Sequence, residues 1–347
     1  ALQPKTKDMS SAAPLKNMDI KPASFSVQLR NYQNGVGASF HSEQGPRPDQ
    51  EDRCVLLPDV SAMRALQGNT KVSATMKDIL TKYSIAAVFD GHSGWQCSQY
   101  LSQHLIPAIV LHEKFLDKQP DIAILESFRN LDMKITNLLR KEECTAGSTA
   151  IVALYDGRKH IFTVANVGDS MCVLSRSGRA VKLHRAHRFS DNKECLPEKE
   201  RVEAAGSAVI NNRVDGVLAV SRAFGDPSFK AAGPNGTSPV IAVPDIVSEV
   251  ITPMTEFGVI ASDGLWDVME PQLVINFVRS ILNKKHDLQN ACADLVQEAL
   301  ARGSIDNVTV LIVSFHMPAP KVNANAGSSN GSGSGSGSGN GNVDKDI

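Results

Sequence analysis

Four aspartates fall at the ends of short apolar runs that are typical of buried strands. Asp90, Asp169 and Asp263 each follow such a run, and Asp306 shortly precedes one. In neighbouring antiparallel strands, the end of one strand lies beside the start of the next. We therefore expect the four carboxylates to converge on one rim of a sheet. A single Asp-Gly usually marks only a turn, so the prediction depends on the four aspartates taken together.

Two further acids, Glu51 and Asp52, are adjacent in the segment Arg-Pro-Asp-Gln-Glu-Asp. With them the rim would carry six carboxylates, whose mutual repulsion requires bound cations. Oxygen ligands without His or Cys favour Mg²⁺ or Mn²⁺ over Zn²⁺. Two such ions about 4 Å apart can deprotonate a bridging water and bind a phosphoryl oxygen. The pattern predicts a two-metal site for hydrolysis.

The elements that position these acids are strands gathered into hairpins. Strands are predicted at residues 85–89, 149–155, 161–167, 171–174, 258–261 and 308–313. Asp156-Gly157 and Ser177-Gly178 supply the turn residues of hairpins between neighbouring strands. Because these strands follow one another through turns, the sheet is predicted to be antiparallel.

Helices interrupt the strands in pairs. One helix is predicted from apolar residues at steps of four and three, Ile124, Phe128, Leu131, Ile135 and Leu138. Others are predicted at residues 93–112, 271–282 and 288–302. Antiparallel strands with paired helices indicate an α+β fold, an antiparallel two-sheet β-sandwich flanked by helix pairs.

Composition excludes several classes of protein. The chain has 347 residues, 42% hydrophobic, and a net charge of −1, so no strong field attracts nucleic acid or anionic membrane. No window of the sequence predicts a membrane span. Six scattered cysteines without CxxC pairs indicate reduced thiols and a cytoplasmic or nuclear protein. The chain begins with Ala, which leaves secretion open, and a monomer is expected.

The chain divides into three predicted parts. Residues 1–23 are a polar N-terminal segment, residues 24–317 are one catalytic domain, and residues 318–347 are a Gly/Ser/Asn-rich tail. The tail has too few apolar residues to offset its loss of conformational entropy by burial, so we expect it to be disordered.

Six sequence blocks occur in the order that is typical of one enzyme family. They are Asp-Gly-His-Ser-Gly from Asp90, Gly-Ser-Thr-Ala from Gly147, Val-Gly-Asp-Ser from Val167, Leu-Ala-Val-Ser-Arg-Ala-Phe-Gly-Asp from Leu218, Ser-Asp-Gly-Leu-Trp-Asp from Ser262 and Ser-Ile-Asp-Asn from Ser304. With Arg47 and Glu51-Asp52 ahead of them, the chain resembles the type 2C metal-dependent serine/threonine protein phosphatases, the PPM family. The resemblance covers about residues 32–315.

The resemblance implies a four-layer αββα sandwich with a flap at about residues 187–240. It also implies hydrolysis of phosphoserine and phosphothreonine in proteins by a water or hydroxide that bridges two Mg²⁺ or Mn²⁺ ions. Asp90 would bridge both ions, with Glu51 and the Gly91 carbonyl on one and Asp263 and Asp306 on the other.

The remaining roles also follow from the resemblance. Asp169, with Asp263, resembles a weaker site for a third ion. Asp52 would bind metal-bound water, and Arg47 would bind the phosphate through its planar fork. His92 would protonate the leaving oxygen. The alternative is that His92 is only hydrogen-bonded near the site and transfers no proton.

Some features leave alternatives open. Ala186 stands where the family usually has Asp, which puts the local support of the flap in question. Asp226 and Asp267 are expected to bond loop backbone and stay outside the catalytic set. A pseudophosphatase scaffold predicts lost ligands, and every expected acid is present. Another two-metal hydrolase, such as a nuclease, would bring basic or aromatic stretches that the sequence lacks.

Overall fold

The computed structural model describes residues 24–31, 35–63, 73–190, 195–234, 236–285 and 287–315. The predicted N-terminal segment 1–23 and tail 318–347 lie outside the described residues. All described residues belong to one compact unit. Among them, no helix combines the length and the apolar character that a membrane crossing requires.

The strands, in chain order, are β1 Ser24–Asn31, β2 Val36–Glu43, β3 Arg53–Leu57, β4 Tyr83–Phe89, β5 Gly91–His92, β6 Gly147–Ser148, β7 Ala150–Asp156, β8 Ile161–Val167, β9 Met171–Arg176, β10 Arg179–Lys182, β11 Val209–Ile210, β12 Arg213–Val214, β13 Phe224–Gly225, β14 Asp245–Val250, β15 Thr255–Ala261 and β16 Val308–Phe315. The α-helices are α1 Ala74–Leu80, α2 Gln96–Val110, α3 Glu113–Leu116, α4 Pro120–Lys141, α5 Leu196–Ala204, α6 Asp263–Trp266, α7 Pro271–Lys285 and α8 Leu288–Ala301.

Two antiparallel sheets form the centre of the fold. The larger has the strand order β1-β2-β16-β15-β9-β10, and the other has the order β14-β8-β7-β4-β3. Strands β7 and β8 pair directly, as do β9 and β10, so both predicted hairpins are confirmed. Ser177 and Gly178 have φ angles of 50° and 77°, and positive φ at both central residues is typical of a two-residue type I′ hairpin turn.

The apolar strands are buried on both faces. In β4, Ile85 and Phe89 point into a core shared with helices, whereas Ala86 and Val88 point into the core between the two sheets. This alternation follows from the two-residue period of a strand. It explains why the sequence shows a continuous apolar run rather than an alternating pattern.

Helix pairs cover the outer faces of both sheets. Helices α2 and α4 pack on the sheet that contains β4, and α7 and α8 pack on the sheet that contains β15. Helix α4 begins with Pro120 and ends with Arg140 and Lys141, an order that matches the helix dipole. The layers are therefore helix, sheet, sheet, helix, as the predicted αββα sandwich requires.

A smaller segment stands beside the sandwich. Helix α5 and the β11–β12 hairpin share a separate apolar cluster of Phe189, Val202, Val214, Val220, Ala223 and Val240. This cluster lies within the predicted flap range. The described cysteines are all free thiols.

Candidate active site

The antiparallel pairing brings the acids of different strands together. Arg53 of β3 pairs with Phe89 of β4, so Asp52 and Asp90 flank the end of the same pair. In the other sheet, β15 ends at Ala261, and Asp263 opens α6 two residues later. The acids thus come from both sheets and meet at one rim, as the positions of the apolar runs predict.

Three of the predicted ligands lie close enough to share an ion. One carboxylate oxygen each from Asp90, Asp169 and Asp263 lies within 4.8 Å of the others. A cavity of about 820 Å³ opens over them. The predicted site residues that line it are Arg47, Glu51, Asp90, Gly91, His92, Asp169, Asp263 and Asp306. Asp52 is buried, with 1% of its surface exposed.

The clustered acids resist ionisation. Burial raises the pKa of Asp90 well above its usual range, and the charge of Asp263 raises it further. Burial also raises the pKa of Asp263 to about 8, together with the charge of Asp169, although Arg188 opposes the rise. Carboxylates outnumber arginines seven to three in the cavity lining. The negative charge therefore exceeds what the lining arginines neutralise.

Asp52 and Glu51 are fixed by hydrogen bonds at this rim. Asp52 Oδ2 accepts from Ser262 Oγ at 2.8 Å, and burial raises the pKa of Asp52 to about 6. Its buried Oδ1 has no hydrogen-bond partner among the described residues. Glu51 Oε1 accepts from the Gly94 backbone N–H at 2.6 Å. Burial raises the pKa of Glu51, although this hydrogen bond opposes the rise.

The segment that carries Glu51 and Asp52 is anchored by two side chains that the sequence analysis did not single out. Arg53 is fully buried, and its Nη1 donates to the carbonyls of Gln50 and Asp52 at 2.7 and 2.8 Å. Asn307 Oδ1 accepts from the Glu51 N–H at 2.8 Å. Three hydrogen bonds between two buried side chains and the backbone thus set the direction of the two acids.

His92 forms a partly buried pair with Asp226. Its Nε2 lies 2.8 and 2.9 Å from the two carboxylate oxygens of Asp226. Burial lowers the pKa of His92, but the charge and hydrogen bond of Asp226 outweigh this, and the net pKa is raised. A Cβ on Gly147 would collide with both partners, so only glycine allows this close approach. Asp226 was expected to bond loop backbone; that expectation was wrong, because its carboxylate bonds His92.

Arg47 reaches across the cavity edge to the loop before β16. Its Nη2 donates to Asp306 Oδ2 at 2.5 Å, and its Nε donates to the Ile305 carbonyl at 3.2 Å. The side chain is about half exposed. The structure therefore places Arg47 beside a predicted metal ligand, where its planar fork can also face a bound anion.

Arg188 is a further site residue that the sequence analysis missed. Its guanidinium bonds Asp169 through Nε and Asp263 through Nη2, and it bonds Asp267 through Nη1 at 2.6 Å. The expected backbone role for Asp267 was also wrong, since its carboxylate bonds Arg188. The only signal for Arg188 in the sequence is its place beside the altered Ala186-His187 position, and this place does not indicate which side chains it contacts.

The altered position is supported by its neighbour. His187 donates its backbone N–H to the Gly168 carbonyl at 2.9 Å, and its Nδ1 accepts from the Gly168 N–H at 3.0 Å. Its carbonyl accepts from the Ser221 N–H at 2.8 Å. These contacts tie the start of the flap to the turn that carries Asp169, in a chain that has Ala186 instead of Asp.

The residues present fit divalent cations. The cluster of Asp90, Asp169 and Asp263 offers only carboxylate oxygens, and the raised pKa values show that charge is in excess there. Hard ions such as Mg²⁺ and Mn²⁺ prefer oxygen ligands. The buried, unpartnered Oδ1 of Asp52 gives a further acceptor for a water at the same rim.

Comparison with known proteins decides the family. A sequence model described as "Protein phosphatase 2C" matches residues 37–308, most of the chain. The chain belongs to the protein phosphatase 2C family. The predicted resemblance is confirmed, and the chain is a protein phosphatase by family.

Two curated relatives and one solved structure illustrate the match. "Probable protein phosphatase 2C 54" of Oryza sativa subsp. japonica is 32% identical over 84% of this chain and 76% of its own length. "Protein phosphatase 2C 57" of Arabidopsis thaliana is 34% identical over 82% of this chain and 78% of its own length. A serine-threonine phosphatase 2C structure from Toxoplasma gondii has a TM-score of 0.67 at 21% identity, covering 85% of this chain and all of that one, which supports the PPM-type fold.

Proposed function

We propose that this protein phosphatase hydrolyses phosphoserine and phosphothreonine in proteins with two divalent cations, Mg²⁺ or Mn²⁺. The observation that carries the proposal is the convergence of Asp90, Asp169 and Asp263 within 4.8 Å under one cavity. Asp90 would contact both ions, with Glu51 and the Gly91 carbonyl on one side and Asp263 and Asp306 on the other. Asp169 would hold a third, weaker ion with Asp263.

The cations, when bound, supply a water activated for attack on phosphorus and charge that neutralises the phosphate. Arg47 binds two phosphate oxygens through its fork, for which it must release Asp306. Asp52 accepts a hydrogen bond from the water at its free Oδ1 and so orients it. No residue of the chain needs to form a covalent bond with the phosphoryl group.

His92 donates the proton that the leaving serine or threonine oxygen needs. Its Nε2 is held by Asp226, so the donation would come from Nδ1. The raised pKa of His92 keeps the imidazole protonated at a pH where an isolated histidine is losing its proton. Asp226 is then a positioning residue, because it acts on the substrate only through His92.

The test is phosphate release from a phosphothreonine peptide, with Mn²⁺ and with EDTA, in the native chain and in Asp263→Asn. Asp294→Asn is the matched control, because Asp294 is exposed on α8. We expect turnover that requires metal, is lost in Asp263→Asn and survives in the control. A phosphotyrosine peptide should be hydrolysed far more slowly.

Each other outcome contradicts a named part of the proposal. Turnover in EDTA would refute the role of the cations. A folded native chain that is inactive with both Mn²⁺ and Mg²⁺ would favour a scaffold protein. Faster turnover of phosphotyrosine would refute the substrate class while leaving the metal site in place.

A further inference from the structure

Arg188 bonds three carboxylates at the rim of the candidate site. Its three bonding partners are carboxylates, and two of them, Asp169 and Asp263, belong to the cluster whose oxygens lie within 4.8 Å of one another. The third, Asp267, is bonded at 2.6 Å and more than half exposed. One guanidinium therefore contacts acids from the β8–β9 turn and from α6 at the same time.

The backbone of Arg188 is held in place by buried neighbours. His187, next to it in the chain, is almost fully buried and bonds the backbone of Gly168 in both directions. Arg188 itself pairs with Val220 of the flap in an isolated antiparallel bridge. The side chain is about one-third exposed on the cavity wall. The backbone of Arg188 is thus fixed, and its side chain has open space into which it can turn.

A guanidinium and a divalent cation cannot share these oxygens without a penalty. Both need the lone pairs of Asp169 and Asp263, and their charges repel at short range. Arginine stays protonated at any pH at which the enzyme works, so only movement of the side chain can remove its charge from the site.

We propose, on the basis of the two-cation function proposed above, that Arg188 competes with the divalent cation that Asp169 and Asp263 would jointly hold. Arg188 thereby sets how many ions the site retains at a given metal concentration. The two ions on Asp90 remain, and the ion between Asp169 and Asp263 binds only when the guanidinium turns away. Arg188 is in this sense a residue that determines metal stoichiometry.

The test is direct titration with Mn²⁺ alone, by isothermal calorimetry and by equilibrium dialysis, of the native chain, Arg188→Met and Arg188→Lys. Met keeps most of the apolar stem without the guanidinium and its charge. We expect the weakest Mn²⁺ to bind at least tenfold more tightly to Arg188→Met, which corresponds to about 1.4 kcal/mol. Lys keeps the charge but cannot contact three carboxylates at once. Arg188→Lys should therefore tighten the weakest Mn²⁺ by two- to threefold.

Thermal unfolding supplies a second readout that does not depend on activity. The increase in Tm on adding Mn²⁺ should be larger for Arg188→Met than for the native chain, because a more tightly bound ion stabilises the folded state more. Melting in EDTA verifies that each variant is folded. If Arg188→Met does not fold, Arg188→Lys decides the question, and no tightening in it overturns the proposal.

The outcomes separate this proposal from the proposed function. An unchanged weakest affinity in a folded Arg188→Met, beside two tightly bound ions, overturns the role of Arg188 and leaves the two-cation site standing. Equal tightening in the Lys and Met variants also overturns it, because the charge would then not be the cause. If the native chain binds no Mn²⁺, the two-cation function fails; binding by Arg188→Met would then still support the competition, and its absence would overturn both.

Discussion

Replacing Asp263 with Asn should stabilise the protein in EDTA while it abolishes metal-dependent hydrolysis. Asp263 is a buried carboxyl whose pKa is raised to about 8 by burial and by the charge of Asp169, despite the contact with Arg188. At neutral pH the unfolded chain ionises this group freely, whereas the folded chain must keep it protonated or tolerate its charge. Asn has nearly the same shape and no charge.

The size of the stability gain in Asp263→Asn follows from the pKa shift of Asp263. The ordinary pKa of 3.8 lies about three units below neutral pH, and each unit corresponds to about 1.36 kcal/mol. The Asp263 carboxyl therefore destabilises the folded state by at most about 4 kcal/mol at neutral pH. The Asp263 side chain is 20% exposed, so solvent screens part of its charge, and we take about half of this maximum. We therefore expect a net gain of about 2 kcal/mol in the free energy of unfolding, or about 4 °C in Tm.

The gain should depend on pH in a defined direction. Because the folded pKa of Asp263 lies above its unfolded value, the native state binds more protons between about pH 4 and pH 8. The stability contributed by this group is present below pH 4 and is lost as the pH rises to 8. The advantage of Asp263→Asn should therefore be absent at about pH 4 and complete at about pH 8.

The assay is thermal unfolding in EDTA across this pH range, repeated with saturating Mn²⁺. In Mn²⁺ the order should reverse, since the native chain gains about 2.7 kcal/mol at a hundredfold excess over Kd. Asp267→Asn is the matched control, because Asp267 also bonds Arg188 but is 55% exposed; its stability in EDTA should change by less than about 1 kcal/mol. If Asp263→Asn is no more stable than the native chain in EDTA at pH 8, the reasoning is refuted.

Three further predictions concern groups around the site. Asp226→Asn should lower kcat for a phosphopeptide by about 10²-fold with little change in KM, because His92 loses the carboxylate that orients it and keeps it protonated; steady-state kinetics measure this. Lys230→Met should lower the unfolding free energy in urea by about 3 kcal/mol, since it leaves the buried Asp132 without its cation. Burial lowers the pKa of His184 to about 4, so stability is lost as the pH falls from 6.5 to 4, by up to about 3 kcal/mol, and this loss should be absent in His184→Gln.

Controls and contrary results are specific to each change. Lys199→Met is the control for Lys230, because the Lys199–Glu203 pair is exposed and 3.9 Å long, and it should have almost no effect. A urea midpoint that moves equally in both lysine variants would contradict the buried-pair argument. An unchanged kcat in Asp226→Asn would remove the positioning role. A native chain with no more loss of stability than His184→Gln between pH 6.5 and 4 would show that His184 is not held neutral.

The strands that carry the acids could be predicted because both of their faces are buried. Strand β8 has the predicted bounds, residues 161–167, and β7 is shifted by one residue from its predicted run. Strands β4, β9, β15 and β16 extend the predicted runs by two or three residues. Strand β2 was not predicted, because polar Ser39 and Ser42 interrupt its apolar pattern although both are fully buried. Strand β14 was missed as well, since it lies at a sheet edge and most of its residues are only partly buried.

Partnerships between distant side chains could not be predicted. The positions of the acids follow from strand ends, which are local features of the sequence. His92 and Asp226 are 134 residues apart, and Arg188 and Asp263 are 75 apart. Each pair depends on how the flap packs against the rim, and that packing leaves no periodic pattern in the chain. A motif can therefore indicate the predicted metal ligands without revealing which arginine or aspartate side chain lies beside them.

The acids at the rim come from different sheets. Asp90 follows β4 in one sheet, and Asp263 follows β15 in the other. A cation bound by both aspartates would cross-link the two sheets and close a chain loop of about 170 residues. For comparison, a covalent cross-link that closes a loop of about 100 residues stabilises the folded state by about 4.7 kcal/mol. Loss of the cation would then remove this constraint, lower the free energy of unfolding and leave the chain open to proteases more often. The supply of divalent cation would in this way control the lifetime of the protein as well as its turnover.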